Sequence, residues 1–137
     1  MDWMLMPYRR YFDFEGRSQR KEYWMFALFT ILVAVVLCVL MFSGGFPLNG
    51  DSESPGMMFW LGAALLGVFW LATIIPSIAV QVRRFHDQDR SGWMVLIALV
   101  PYVGGLIVLV FMCLEGTRGP NRFGPDPKGA GSAEVFS

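Results

Sequence analysis

A chain of 137 residues that is 55% hydrophobic and only 16% charged has more apolar surface than one soluble domain can bury, because soluble domains average roughly 25% charged residues. The formal net charge is zero, which removes any global basic field and with it the case for a nucleic-acid partner. Cys38 and Cys113 both sit inside apolar runs, where they act as small hydrophobes and provide neither a disulfide framework nor metal-ligand spacing.

Residues 1–22 read as a juxtamembrane segment. Met4, Tyr8, Tyr11 and Phe12 recur at helical spacing with Arg9 and Arg10 between them, which suits a helix lying in the headgroup layer. Pro7 favours a start near Met6, since proline is tolerated in a first turn and disruptive deeper in. Gly16 breaks the chain, and Ser18 is the expected N-cap of the next helix. Residues 23–42 are free of charge over 20 positions, about 30 Å of helix, which matches the hydrocarbon core and makes this the first span. It is too long for a signal-peptide core and lacks a small-residue cleavage site. Tyr23 and Trp24 at its polar end fit the aromatic belt.

Residues 43–56, with four Gly, two Pro and no Lys or Arg, read as a loop. The uncharged run 57–82 is long enough for a second span, kinked at Pro76, with Thr73 and Ser77 placed to bond the backbone groups that the proline frees. Ala63 and Gly67 form a small-xxx-small pair suited to helix packing. Residues 83–92 are a polar hinge. A third uncharged run, 93–114, begins after Ser91, a candidate N-cap, and carries Pro101, Gly104 and Gly105 in its middle. It is either one kinked span or a re-entrant hairpin, and its length leaves both open. Residues 116–127 hold too much Gly and Pro for regular structure, and 129–137 have the composition of a disordered tail. The expected fold class is therefore all-α: a single helical membrane domain over 1–128, with two full spans and a third segment that crosses once or turns back.

Five Lys or Arg residues precede the first span (Arg9, Arg10, Arg17, Arg20, Lys21), none lies in the loop, and three lie in the hinge (Arg83, Arg84, Arg90). The positive-inside rule then makes the N-terminus and hinge cytoplasmic. A single crossing of 93–114 would leave Arg118, Arg122 and Lys128 in the periplasm against that rule, whereas a hairpin returns them to the cytoplasm. The hairpin places 121–127 beside the hinge, with Asn121 or Asp126 meeting Arg83, Arg84 or Arg90.

Three stretches carry a resemblance: Phe14-Glu15-Gly16-Arg17-Ser18-Gln19-Arg20-Lys21-Glu22-Tyr23-Trp24; Arg83-Arg84-Phe85-His86-Asp87 with Ser91-Gly92-Trp93; and Asn121-Arg122-Phe123-Gly124-Pro125-Asp126-Pro127. In this order the chain resembles the YhaH-like small bacterial inner-membrane proteins, a family of unknown function. The resemblance implies a bacterial inner-membrane location and a helical bundle, and brings no activity or catalytic residue.

Within the residues themselves, His86 with Asp87 and Asp89 is the local cluster with metal or proton chemistry to offer, but the chain has one histidine, and a metal site needs three or four converging ligands. The ordinary reading is a helix end, with Arg83 and Asp87 paired at i, i+4 and His86 near the C-terminal dipole. No serine lies in a nucleophile elbow, no cysteine lies outside the apolar runs, and no glycine pair is followed by a phosphate-binding pattern. The chain is thus expected to be no enzyme and to use no cofactor, with no catalytic or metal residues. The leading expectation is a binding or scaffold protein. Its candidate interaction face is Arg17, Arg20, Lys21, Arg83, Arg84, His86, Asp87, Arg90, Asn121 and Arg122, directed to a membrane or cytoplasmic protein partner or to anionic lipid. A homo-oligomer fits the small-residue pair. The alternative is a subunit of an oligomeric small-solute transporter or channel, favoured by the broken third segment and disfavoured by three runs without an ionisable path.

Overall fold

The computed structural model describes residues 2–43 and 55–129, and every regular element among them is helical: α1 (Asp2–Arg9), α2 (Arg20–Ser43), α3 (Met57–Asp87), a 3-10 helix (Gly92–Leu99) and α4 (Gly104–Cys113). The predicted loop falls almost wholly on residues 44–54, and the predicted disordered tail on residues beyond 129; both lie outside the described residues. The described residues pack as two compact units, one of residues 2–26 and 75–129, the other Ala27–Ile74.

Helices α2 and α3 have 24 and 31 residues, about 36 and 46 Å, so each exceeds the roughly 30 Å hydrocarbon core. Both are long and apolar enough to cross a bilayer. Val33, Val35, Val36 and Val39 are mediocre helix formers in water, but without water every backbone group must be satisfied within the segment, and the helix does that.

In the Ala27–Ile74 unit most large side chains are exposed, among them Leu32, Val36, Val39, Trp60, Leu65 and Val68, as a surface solvated by lipid requires. The close approach of its two helices is made at Gly62, where an added Cβ would lie 2.7 Å from the Met41 Cα. The expected pair Ala63 and Gly67 does not make it: Gly67 is exposed, with nothing within 4 Å of a Cβ. At 100° per residue the contact stripe runs through position 62, and the flanking small residues turn away from it. The Thr73 hydroxyl donates to the Phe69 carbonyl at 2.7 Å, one turn back along the helix.

In the other unit, α1 begins at Asp2, not near Met6, and contains Pro7. The first four amides of a helix have no intrahelical acceptor, so a proline at the sixth position costs only one or two bonds, and its ring is buried. The Tyr8 ring meets Phe26 edge-on at 5.4 Å, and the Lys21 ammonium lies 5.5 Å from the Trp3 ring centre. The third apolar run turns back on itself. Its 3-10 arm packs along α4. Eight 3-10 residues and ten α residues give arms of about 16 and 15 Å, half of what a crossing needs. The turn closes through Gly104, whose amide donates to the Val100 carbonyl and where an added Cβ would lie 2.0 Å from the Ile97 oxygen. Fully exposed Tyr102 occupies the tip with φ +67°. Phe85, Val108 and Met112 form the buried centre, with Tyr23, Met94, Ile97 and Phe111 packed around it.

Candidate functional site

The hairpin returns the chain to the end of α3, and there all three charged signatures meet. A helix leaves its last carbonyls without partners. Here the His86 carbonyl accepts from Asn121 Nδ2 at 2.9 Å and from the Asp89 amide at 3.0 Å. The Asp87 carbonyl accepts from the Thr117 amide at 2.8 Å and its hydroxyl at 3.1 Å. Residues 114–124 therefore cap α3 from the far end of the chain.

Beneath this cap lies a buried ionic lattice. Arg17 and Asp87, with side chains 2% and 6% exposed, pair at 3.0 Å, and Arg17 also donates to the Gly119 and Thr117 carbonyls at 2.6 Å each. Arg84 donates to the second Asp87 oxygen and to the Leu114 carbonyl. Arg83 donates to Glu22 at 2.8 Å, to the Ser18 hydroxyl at 3.0 Å and to the Asp13 carbonyl at 3.0 Å. Three buried guanidiniums thus face two buried carboxylates; backbone carbonyls and the Ser18 hydroxyl take further donors, while Arg84 Nε has no hydrogen-bond partner among the described residues. An unpaired buried charge is strongly unfavourable, so loss of a carboxylate strands the arginines it answers: Asp87 answers Arg17 and Arg84, and Glu22 answers Arg83. At its rim, Arg20 donates to Glu115 at 2.5 Å, and Gln19 to the Pro127 carbonyl at 2.6 Å. Burial pushes the Asp13 carboxyl up, but the hydrogen bond from Arg10, the Glu15 amide and the charges of Arg10 and Arg83 together hold it below its ordinary range.

This geometry corrects several expectations. Arg17, Arg83, Arg84 and Asp87 are buried against one another, so they are not free to form an interaction face. Asp87 pairs with Arg84 at i, i+3 and with Arg17, while Arg83 turns to Glu22. The Ser18 hydroxyl accepts from Arg83 and docks α3 where an N-cap was expected. Ser91 does cap the 3-10 helix, accepting from the Trp93 amide at 3.4 Å. Asn121 reaches the hinge, but through the His86 carbonyl and not through an arginine. Asp126 accepts from the Gly119 and Lys128 amides of its own loop. Of the remaining face, Arg20 is held by Glu115, while Lys21, Arg90 and Arg122 are exposed.

His86 is half-buried, its Nδ1 at 3.2 Å from the Gly16 carbonyl and its ring stacked on Phe123 at 3.9 Å and 5°. A carbonyl can only accept, so Nδ1 carries the proton, and Nε2 of the neutral ring presents a lone pair. Among the described residues no three His, Cys, Asp or Glu side chains gather as a metal-ligand group.

Sequence reasoning missed Asp13, Glu22, Glu115, Gly116 and Thr117 as members of the site. Glu22 had a signal: an acid at the head of an apolar run must find a cation if the helix buries it. Gly116 had none, because the reason for it is spatial; a Cβ there would sit 1.9 Å from Asp87 Oδ2.

Two membrane-length helices, a shorter apolar hairpin and a charged end that locks onto itself define a small helical integral membrane protein. The family described as "Protein of unknown function (DUF805)" matches residues 11–125, and the chain belongs to it. It is 43% identical over 132 residues to the inner membrane protein YhaH of Escherichia coli (strain K12), covering 93% of this chain and 98% of that one. It is 41% identical over 128 residues to the inner membrane protein YhaI of the same organism, covering 93% and 97%, and 27% identical over 140 residues to the uncharacterized protein YiiR, covering 84% and 86%. No solved structure matches. The chain is a bacterial inner-membrane protein.

Proposed function

We propose that this protein is a membrane-embedded binding protein, not an enzyme, whose cytoplasmic face gathers anionic lipid headgroups. One observation carries the reading: once the lattice has consumed Arg17, Arg83 and Arg84, the exposed cations Lys21, Arg90, Arg118 and Lys128 make no salt bridge among the described residues. In this reading the N-terminus and hinge are cytoplasmic, which the five, zero, three distribution of cations supports through the positive-inside rule, and the contact of Asn121 with the His86 carbonyl supports the same side for the C-terminal loop. Each cation near an anionic leaflet contributes about 1 kcal/mol, so four together bias local lipid composition. Lys21 and Arg90 also sit over the Trp3 and Phe111 rings, which leaves their charge available to a headgroup.

The test is lipid composition around the reconstituted protein. In bilayers of phosphatidylglycerol and phosphatidylcholine, spin-labelled phosphatidylglycerol should be enriched at the protein in low salt. The enrichment should fall in a variant with Lys21→Gln, Arg90→Gln, Arg118→Gln and Lys128→Gln. Equal enrichment in that variant contradicts the reading.

A further inference from the structure

Beside His86 two clefts adjoin. The first, of about 610 Å³, is walled by Phe14, Val82, Trp93, Val95 and Leu96, with His86 and Phe123 at its upper edge. The second, of about 380 Å³, is bounded by Glu15, Gly16, Arg122 and the same His86 and Phe123. They share two side chains, so an apolar slot and a polar mouth meet at the stacked His86 and Phe123 rings. The slot belongs at the membrane boundary: Val82 is the last residue of the second uncharged run and Trp93 the first of the third. Trp93 and Leu96 are 78% and 50% exposed, which suits an apolar partner better than water.

The mouth presents both signs of charge, Arg122 and Glu15. Arg122 is exposed and carries Asp89 on its Nε side at 3.2 Å, with its Nη2 donating to the Asp89 carbonyl at 3.0 Å, so donor capacity remains on the guanidinium. The Glu15 carboxylate is exposed and makes no salt bridge among the described residues. His86 Nε2, with Nδ1 bound to Gly16, is a lone-pair acceptor. It lies on the slot side of the ring beside Gly92, where an added Cβ would lie 3.1 Å from Nε2 and 2.7 Å from the Val82 side chain, so glycine leaves room at this edge of the ring. One donor cation, one carboxylate and one neutral acceptor above an apolar slot are complementary to a headgroup with a phosphate and a protonated amine. A purely anionic headgroup would leave Glu15 opposed and His86 Nε2 without a donor.

We propose that this cleft holds one aminophospholipid, with an acyl chain against Val82, Trp93 and Leu96, the phosphate at Arg122, and the ammonium shared between Glu15 and His86 Nε2. The site uses none of the four exposed cations invoked for anionic lipid, so it stands apart from that reading.

The experiment is lipid retention by native mass spectrometry after reconstitution with equal dioleoyl phosphatidylethanolamine, phosphatidylcholine and phosphatidylglycerol. Phosphatidylcholine has the same net charge as phosphatidylethanolamine but no N–H, so the comparison is blind to general attraction by cations. Phosphatidylethanolamine should be retained over phosphatidylcholine by roughly tenfold, as one charge-assisted hydrogen bond would give. Glu15→Gln, on an exposed residue that leaves the fold intact, and His86→Gln should each bring the two toward parity. Arg122→Gln should reduce retention of both while keeping their ratio. Parity between phosphatidylethanolamine and phosphatidylcholine in the native protein, or a preference untouched by Glu15→Gln and His86→Gln, would overturn the proposal.

Discussion

In the Ala27–Ile74 unit, the Thr30 and Thr73 hydroxyls bond carbonyls of their own helices, and the close approach is one glycine against one methionine backbone. In the unit of residues 2–26 and 75–129, side chains bond groups 60 to 100 positions away in sequence: Arg83 to the Glu22 carboxylate, Arg17 to the Asp87 carboxylate, Arg17 to the Thr117 carbonyl. The first unit is solvated by lipid and loses little by exposing Leu32 or Val36, so its helices need only shape. The second unit sets directional partners at fixed places, and each charge it buries must be answered by another. Specificity in this protein therefore resides at the charged end, and perturbations of the two units should differ in size and kind.

Removing a carboxylate from the lattice should give the largest effect. Asp87→Asn leaves Arg17 and Arg84 buried without their counter-charge and should destabilise the protein by about 3–5 kcal/mol, read as thermal unfolding in detergent. Loss should extend to the cap, with protease access gained at residues 116–128. A variant as stable as the native protein would show that neutral acceptors alone can hold the Arg17 and Arg84 guanidiniums.

In the other unit the expected loss is smaller and steric. Gly62→Leu drives a side chain into the Met41 backbone and should cost about 1–3 kcal/mol, while Gly67→Leu, facing open space, should stay within about 0.5 kcal/mol. Equal costs at the two positions would return the contact to the Ala63 and Gly67 stripe.

The smallest effect concerns acid. The Lys128 and Gly119 amides donate to Asp126 and hold its carboxyl below the ordinary value of 3.8. A carboxylate whose folded pKa is depressed contributes order that is present above the unfolded value and lost as pH falls through the folded one. Hydrogen exchange at the Gly119 and Lys128 amides, corrected for intrinsic rates, should therefore accelerate only below pH 3.8 in the native protein. In Asp126→Asn that acid step should vanish; its persistence would assign the step to another group.

Hydropathy made the two spans legible because a charge-free run of 20 or more residues has few alternatives to a helix in lipid. It also located the charged end, since Arg83, Arg84 and Asp87 interrupt such runs. Partner choice was not legible. Arg83 lies four residues from Asp87 and looks paired with it, yet long-range packing turns it to Glu22 on another helix. The third segment was ambiguous for a related reason. Pro101 and Gly104 permit both a kink and a turn, and the decision comes from contacts made elsewhere, by Gln88 to the Phe111 carbonyl and Arg84 to the Leu114 carbonyl. Gly116 was invisible because its neighbour in space, Asp87, is 29 positions away.

The claim on which everything else depends is that residues 93–114 turn back and deliver the C-terminal signature to the hinge. Single cysteines replacing Arg90 and Arg118, both exposed, in a background lacking Cys38 and Cys113, can be probed with an impermeant maleimide in cells with a permeable outer membrane and an intact inner one. Both should resist labelling until the inner membrane is opened, and then react alike. Labelling of the Arg118 position in intact cells while the Arg90 position stays protected would establish a single crossing and contradict the hairpin.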